Sequence, residues 1–200
     1  MTNAALQFSK AECELLSPLV GRQLEAILVP QTASLHGAHD LTCWSCSHLS
    51  IKLRGREWLV IYAQSVEVES GESGPVELFV PSLLWAPQPV QIEQWPGGPT
   101  YEWIPLPPAQ DSIGSRLSAV SIVSRVVQVS DLGAGSRPFR VHIDSGLVFG
   151  FGAGSLVGVE ASEDLPITLD VFVGSKHSHR WSANLRPVSS RRPFSARPEP

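Results

Sequence analysis

Cysteine is scarce in this chain: three residues in 200, Cys13, Cys43 and Cys46. So few, so unevenly spaced, exclude a disulfide-stapled scaffold and agree with a reducing compartment. The N-terminal stretch has no basic segment followed by an apolar run, so a secretory leader is not expected. The uncharged run 146–159 contains five glycines and is too short to cross a bilayer. The expectation is a cytoplasmic protein with no membrane partner. Charged residues make up 17% and hydrophobic residues 42%, which fits a globular chain and excludes wholesale disorder.

The usual engines of catalysis are also missing. Gly71-Glu-Ser-Gly74 lacks the spacing of a nucleophilic serine elbow. Gly150-Phe-Gly152-Ala-Gly154 lacks the dinucleotide fingerprint, and no phosphate-loop lysine accompanies it. Glu67, Glu69 and Glu72 bunch as solvated charge near a turn. No nucleophile, base and oxyanion donor assemble, so no catalytic residue is assigned.

What is present is strongly patterned. Ser9 and Glu12 have capping-box spacing and Pro18 marks a stop, which predicts one short N-terminal helix between them. Three pairs of segments then recur in order. Gly21-Arg-Gln-Leu24 matches Gly114-Ser-Arg-Leu117, the stretch 51–63 matches 141–153, and 75–80 matches 166–171. Within each copy apolar residues alternate with polar ones, as at Leu49, Ile51 and Leu53, the period of a half-buried strand. Arg54-Gly55-Arg56 and Asp144-Ser145-Gly146 read as hairpin turns. The expected fold is mainly β: two similar small antiparallel barrel-like or sandwich-like units from an internal duplication.

The expected organisation has four parts: a first repeat with the helix over 1–80, an ordered connector over 81–110, a second repeat over 111–174, and a disordered basic tail over 175–200. The connector region 81–108 holds eight prolines and three tryptophans, Trp85, Trp95 and Trp103. Proline excludes central strands there. The tail carries six basic residues against one acidic, net +5; the other 174 residues carry 9 basic and 18 acidic groups, net −9.

Three functional readings follow. The first is a non-catalytic protein-binding protein, of adaptor or bacterial-immunity type, acting through an acidic or aromatic surface. Trp85, Trp95 and Trp103 are its candidate anchors, since tryptophan is a preferred hot-spot residue. The second is a zinc-binding protein or metalloenzyme using the cluster His36–His48, with His39, Cys43 and Cys46 as ligands, because thiolate and imidazole are zinc ligands. Against it, residues three apart on an extended strand face opposite ways, and only one CxxC is present. On that reading Cys43 shares the inward face of one strand with Leu49 and Ile51. The third is nucleic-acid association through the basic tail, opposed by the acidic body.

Overall fold

The computed structural model describes residues 3–36, 43–69, 75–90, 101–129, 139–163, 165–181 and 183–188. Its first sheet is built on a meander of β2 (Leu24–Pro30), β5 (His48–Leu53), β6 (Trp58–Glu69) and β7 (Pro75–Ala86), with β8 (Trp103–Pro105) added beside β2. Its second sheet is built on another meander: β9 (Leu117–Val129), β10 (Phe139–Phe151), β11 (Leu156–Ala161) and β12 (Leu169–Val173). β4 (Cys43–Cys46) and β3 (Ser34–His36) extend it beyond β12, and β13 (Leu185–Pro187) flanks β9. β1 (Asn3–Leu6) runs parallel to the start of β10.

The fold is mainly β, as expected, but neither sheet closes into a barrel. Inward residues of both sheets share one core: Leu24, Ile27, Leu49, Ile51, Leu59 and Ile61 from the first; Leu117, Val120, Leu147, Phe149, Val157 and Val159 from the second. Each buried aliphatic side chain contributes about 1.5–3 kcal/mol. The two expected β units are therefore two layers of one sandwich. The helix α1 (Lys10–Leu16) adds Cys13 and Leu16 to that core, and its capping box is formed as the Ser9–Glu12 spacing predicts.

The two meanders have matching registers. In the first, Leu24 faces Leu53 and Ala26 faces Lys52 across a one-residue irregularity; in the second, Leu117 faces Phe151 and Ala119 faces Gly150 across the same irregularity. Ile51 pairs with Leu59 as Phe149 pairs with Val157, and Leu59 pairs with Trp85 as Val157 pairs with Val173. The offsets are 93 residues from Leu24 to Leu117, 98 from Leu53 to Phe151 and from Leu59 to Val157, and 88 from Trp85 to Val173. These differ from the sequence matches at the second and third segments. Asp144-Ser145-Gly146 is not a turn but an irregular stretch inside β10, and the chain reverses at Gly152–Gly154 instead.

The two meanders meet through reciprocal hydrogen bonds. Gly21 N–H donates to the Leu117 carbonyl at 2.7 Å, and Gly114 N–H to the Leu24 carbonyl at 2.9 Å. Leu24 N–H donates to Ser115 at 2.9 Å, and Leu117 N–H to Arg22 at 2.8 Å. Exchanging the two segments turns each bond into its mate, which is a local two-fold relation. Gly21 and Gly114 both adopt positive φ, +87° and +86°, where a side chain would be strained.

Two expected boundaries fail. Residues 81–86, assigned to the connector, continue β7; Pro81 is tolerated because β7 is an edge strand. The tail does not begin at 175. Past Gly174 the chain forms a 3₁₀ turn, the short helix α2 (Ser178–Trp181) and β13, which pairs with β9. Trp181 is buried against Phe172, Val123 and Val148 on the outer face of the second sheet. This apolar anchor outweighs the surrounding Arg and Ser residues from which disorder was inferred.

Candidate partner-docking site

The cluster 36–48 is split by the fold. β4 lies in the second sheet and β5 in the first, so Cys43 and Leu49 do not share a strand. The face assignment is also reversed: Cys46 enters the main core, whereas Cys43 packs outward near Phe172 and Trp181. The strand thus sends the two thiols to opposite sides. His36 pairs with Cys43 across β3 and β4 but is exposed, with its ring 2.5 Å from the Ser34 hydroxyl. His39 lies outside the described residues. His48 is buried, 6.3 Å from the Tyr62 ring and 6.5 Å from the Trp103 ring. Among the described residues no three His, Cys, Asp or Glu side chains converge on a common point.

Burial, reinforced by the Asp170 carboxylate, pushes both thiols above the ordinary value of 9.0, Cys46 far more than Cys43. The folded state therefore retains the Cys46 proton where the unfolded chain has released it. Above about pH 9 stability should fall, by at most about 1.4 kcal/mol per pH unit from this group. Denaturant titrations across that range should show a gentler decline in Cys46→Ala than in wild type. An identical pH slope in the two proteins would contradict the placement of Cys46.

The three tryptophans do not form one surface. Trp103 lies on the outer face of the first sheet, edge-on to His48. Trp95 lies outside the described residues. Trp85, on the edge strand β7 opposite Leu59, packs partly against the main core, and its indole N–H has no hydrogen-bond partner. Beside it opens a groove of about 710 Å³ at the turn end of the first sheet. Leu15, Pro18, Trp85 and Pro87 supply apolar lining; Lys52, Arg56, Glu14 and Glu57 supply charge. Leu15 is 47% exposed, because α1 turns Cys13 and Leu16 to the core, so its apolar side chain faces solvent here.

The groove opens onto a cationic end that the sequence reading treated only as a turn. Arg54 Nη1 donates to the Gln23 side chain at 3.2 Å, and Arg116 Nη1 to the Gly21 carbonyl at 3.3 Å. Gln23 and Arg116 are bridge partners. Lys52 Nζ donates to the Arg56 carbonyl at 2.6 Å and stands 5.7 Å from the Trp58 ring centroid. The Arg22 guanidinium reaches Gly55 at the tip of the hairpin. A signal was available: three cations in five residues, Lys52, Arg54 and Arg56, interrupt an acidic body.

The fold and this site define an all-β sandwich with an aromatic groove at one end. In comparisons with known proteins, no family model, no curated protein and no solved structure matches the chain. No helix among the described residues is long and apolar enough to cross a membrane.

Proposed function

We propose that this chain is a non-catalytic protein-binding protein that takes a partner segment in the groove beside Trp85. The observation that carries the reading is the groove itself: an aromatic wall, exposed Leu15 and two prolines bounding a space large enough for one bulky side chain. Such concave apolar sites with a few polar groups are where ligands bind, and a tryptophan within one is a typical anchor. The groove walls are held by the core on one side and by α1 on the other, which lowers the ordering penalty on binding. We also infer that the two meanders descend from one duplicated unit, because their registers and their reciprocal bonds correspond.

A displayed library of random peptides tests the function. Selection on the wild-type protein should converge on sequences with one large apolar residue. Leu15→Glu places charge on the groove wall at an exposed position and should leave the fold intact. It should remove the enrichment, as should Trp85→Ala, which is expected to weaken a selected peptide by about 2 kcal/mol, roughly thirty-fold. Selected peptides that bind Leu15→Glu as well as wild type would overturn the reading.

A further inference from the structure

We propose that the cationic end beside the groove selects an acidic segment, so that the partner presents carboxylates flanking its apolar anchor. The proposal rests on the groove reading and adds its chemical specificity.

Five cations gather here: Arg22, Lys52, Arg54, Arg56 and Arg116. Among the described residues none of them forms an ion pair. Three other arginines are matched, Arg186 with Asp144 at 2.7 Å, Arg180 with Glu160 at 2.8 Å, and Arg125 with Glu163, whereas exposed Arg140 on β10 has no ion pair among the described residues. Acidic residues do stand near this end. Glu14 is paired with Lys10 at 3.6 Å, while Glu25, Glu57 and Asp111 leave the cations in excess. A net-acidic chain thus concentrates unmatched positive charge beside its aromatic groove.

The second meander serves as an internal control. At the positions matching Arg22, Lys52, Arg54 and Arg56 it carries Ser115, Gly150, Gly152 and Gly154. The same strand registers form there with none of these four cations, although Arg116 stands at the position of Gln23, so the registers do not require these charges. Four cations that folding does not need, grouped at a groove, point to recognition. Carboxylates are the complementary chemistry, and arginine binds them with two parallel donors.

The chain's own terminal segment is a poor occupant, because 189–200 carries Arg191, Arg192 and Arg197 against Glu199. A long polyanion meets repulsion from the acidic body, which a short acidic segment avoids. A second copy could offer Glu67 and Glu77, which pair across β6 and β7.

The test uses a fluorescein-labelled peptide, acetyl-Glu-Asp-Glu-Leu-Trp-Glu-Asp-Glu-amide, and its analogue with every acid replaced by the amide. Fluorescence anisotropy should show the acidic peptide binding the full chain at least about tenfold more tightly than the analogue at low salt, with the difference shrinking as salt rises. The triple variant R22S/R54G/R56G, which copies the second meander's residues, should remove that preference; R54Q/R56Q, which keeps side-chain length, should reduce it. Melting temperatures of both variants should stay close to wild type. If both peptides bind equally and L15E abolishes both, the acidic specificity is overturned while the groove reading stands. If neither peptide binds, both readings fall. A single-stranded oligonucleotide that displaces the peptide and is retained by L15E would overturn the proposal in favour of nucleic acid. Dimerisation abolished by the triple variant would do so in favour of a second copy.

Discussion

Gly146→Ala should destabilise the protein by about 3 kcal/mol, a loss at the upper end for inserting one methyl group into a packed interior. Gly146 lies in β10, a strand flanked on both sides, and pairs with Glu160 of β11 and Val123 of β9. A β-carbon there would overlap the Val159 carbonyl oxygen, 2.7 Å from Glu160 Cγ and 3.1 Å from its Cα. Two of those atoms belong to the neighbouring backbone, so no rotamer change relieves the contact and the strands must separate. Gly152→Ala is the control: no atom lies within 4 Å of its β-carbon and no positive φ opposes the substitution. That variant should unfold within about 0.5 kcal/mol of wild type. Urea unfolding of both proteins decides the matter. Equal midpoints and slopes for Gly146→Ala and wild type would show that β10 and β11 are not paired at this position.

The irregularity before Gly146 also explains why the correspondence between the two meanders was legible only in part. The segments around Gly21 and Gly114 share a glycine, a polar pair and a leucine in a fixed local conformation, so sequence aligned them correctly. Farther along, Asp144-Ser145-Gly146 has the composition of a turn, and turn composition is what pattern reading uses. Here the same residues make a bulge inside a long strand, and the glycine is needed for close approach rather than for positive φ. One mistaken turn displaced the alignment of β5 and β6 onto β10 and β11. The alternation of buried residues could not expose the error, because a shift of an even number of residues preserves the inward face.

The candidate site shows a similar division. Trp85 was legible as a candidate because large aromatics in a proline-rich stretch need an explanation, and the structure places it on the wall of a groove. Trp103 was chosen on the same ground, yet it stands on the opposite face, and only strand pairing separates the two. Cys43 and Cys46 were expected to diverge, and they do, but through the faces of a strand that ends at Cys46 rather than continuing into β5. The cationic end required three dimensions. Arg22 and Arg116 are 94 positions apart in the chain and meet only because two meanders join at Gln23 and Arg116. In the second meander the positions equivalent to Arg22, Lys52, Arg54 and Arg56 carry serine and glycine, a contrast that no single stretch of sequence displays.

Asp144→Ala should be the most damaging loss of a polar group, costing about 3 kcal/mol or more, because it removes the acceptor around which both chain ends are organised. Asp144 is 2% exposed. It accepts from Phe8 N–H at 2.9 Å, from the Ser124 hydroxyl at 2.5 Å and from the Arg186 guanidinium at 2.7 Å. Phe8 follows β1 and Arg186 lies on β13, so one carboxylate ties segments from both termini to the middle of β10. Without it, a buried N–H loses its acceptor and the Arg186 charge loses its counterion beside the core. Arg186→Ala should be milder, since Arg186 is partly exposed and Asp144 keeps other donors. The location of the loss is as diagnostic as its size. Native-state hydrogen exchange should accelerate at Phe8 and along β13 in Asp144→Ala, while β5 and β6 keep more of their protection. Removing everything after Gly174 should behave worse than the point mutant, because it also strips Trp181 from the outer face of the second sheet. Uniform acceleration across both sheets in Asp144→Ala would mean that the carboxylate supports the whole sandwich rather than fastening its ends.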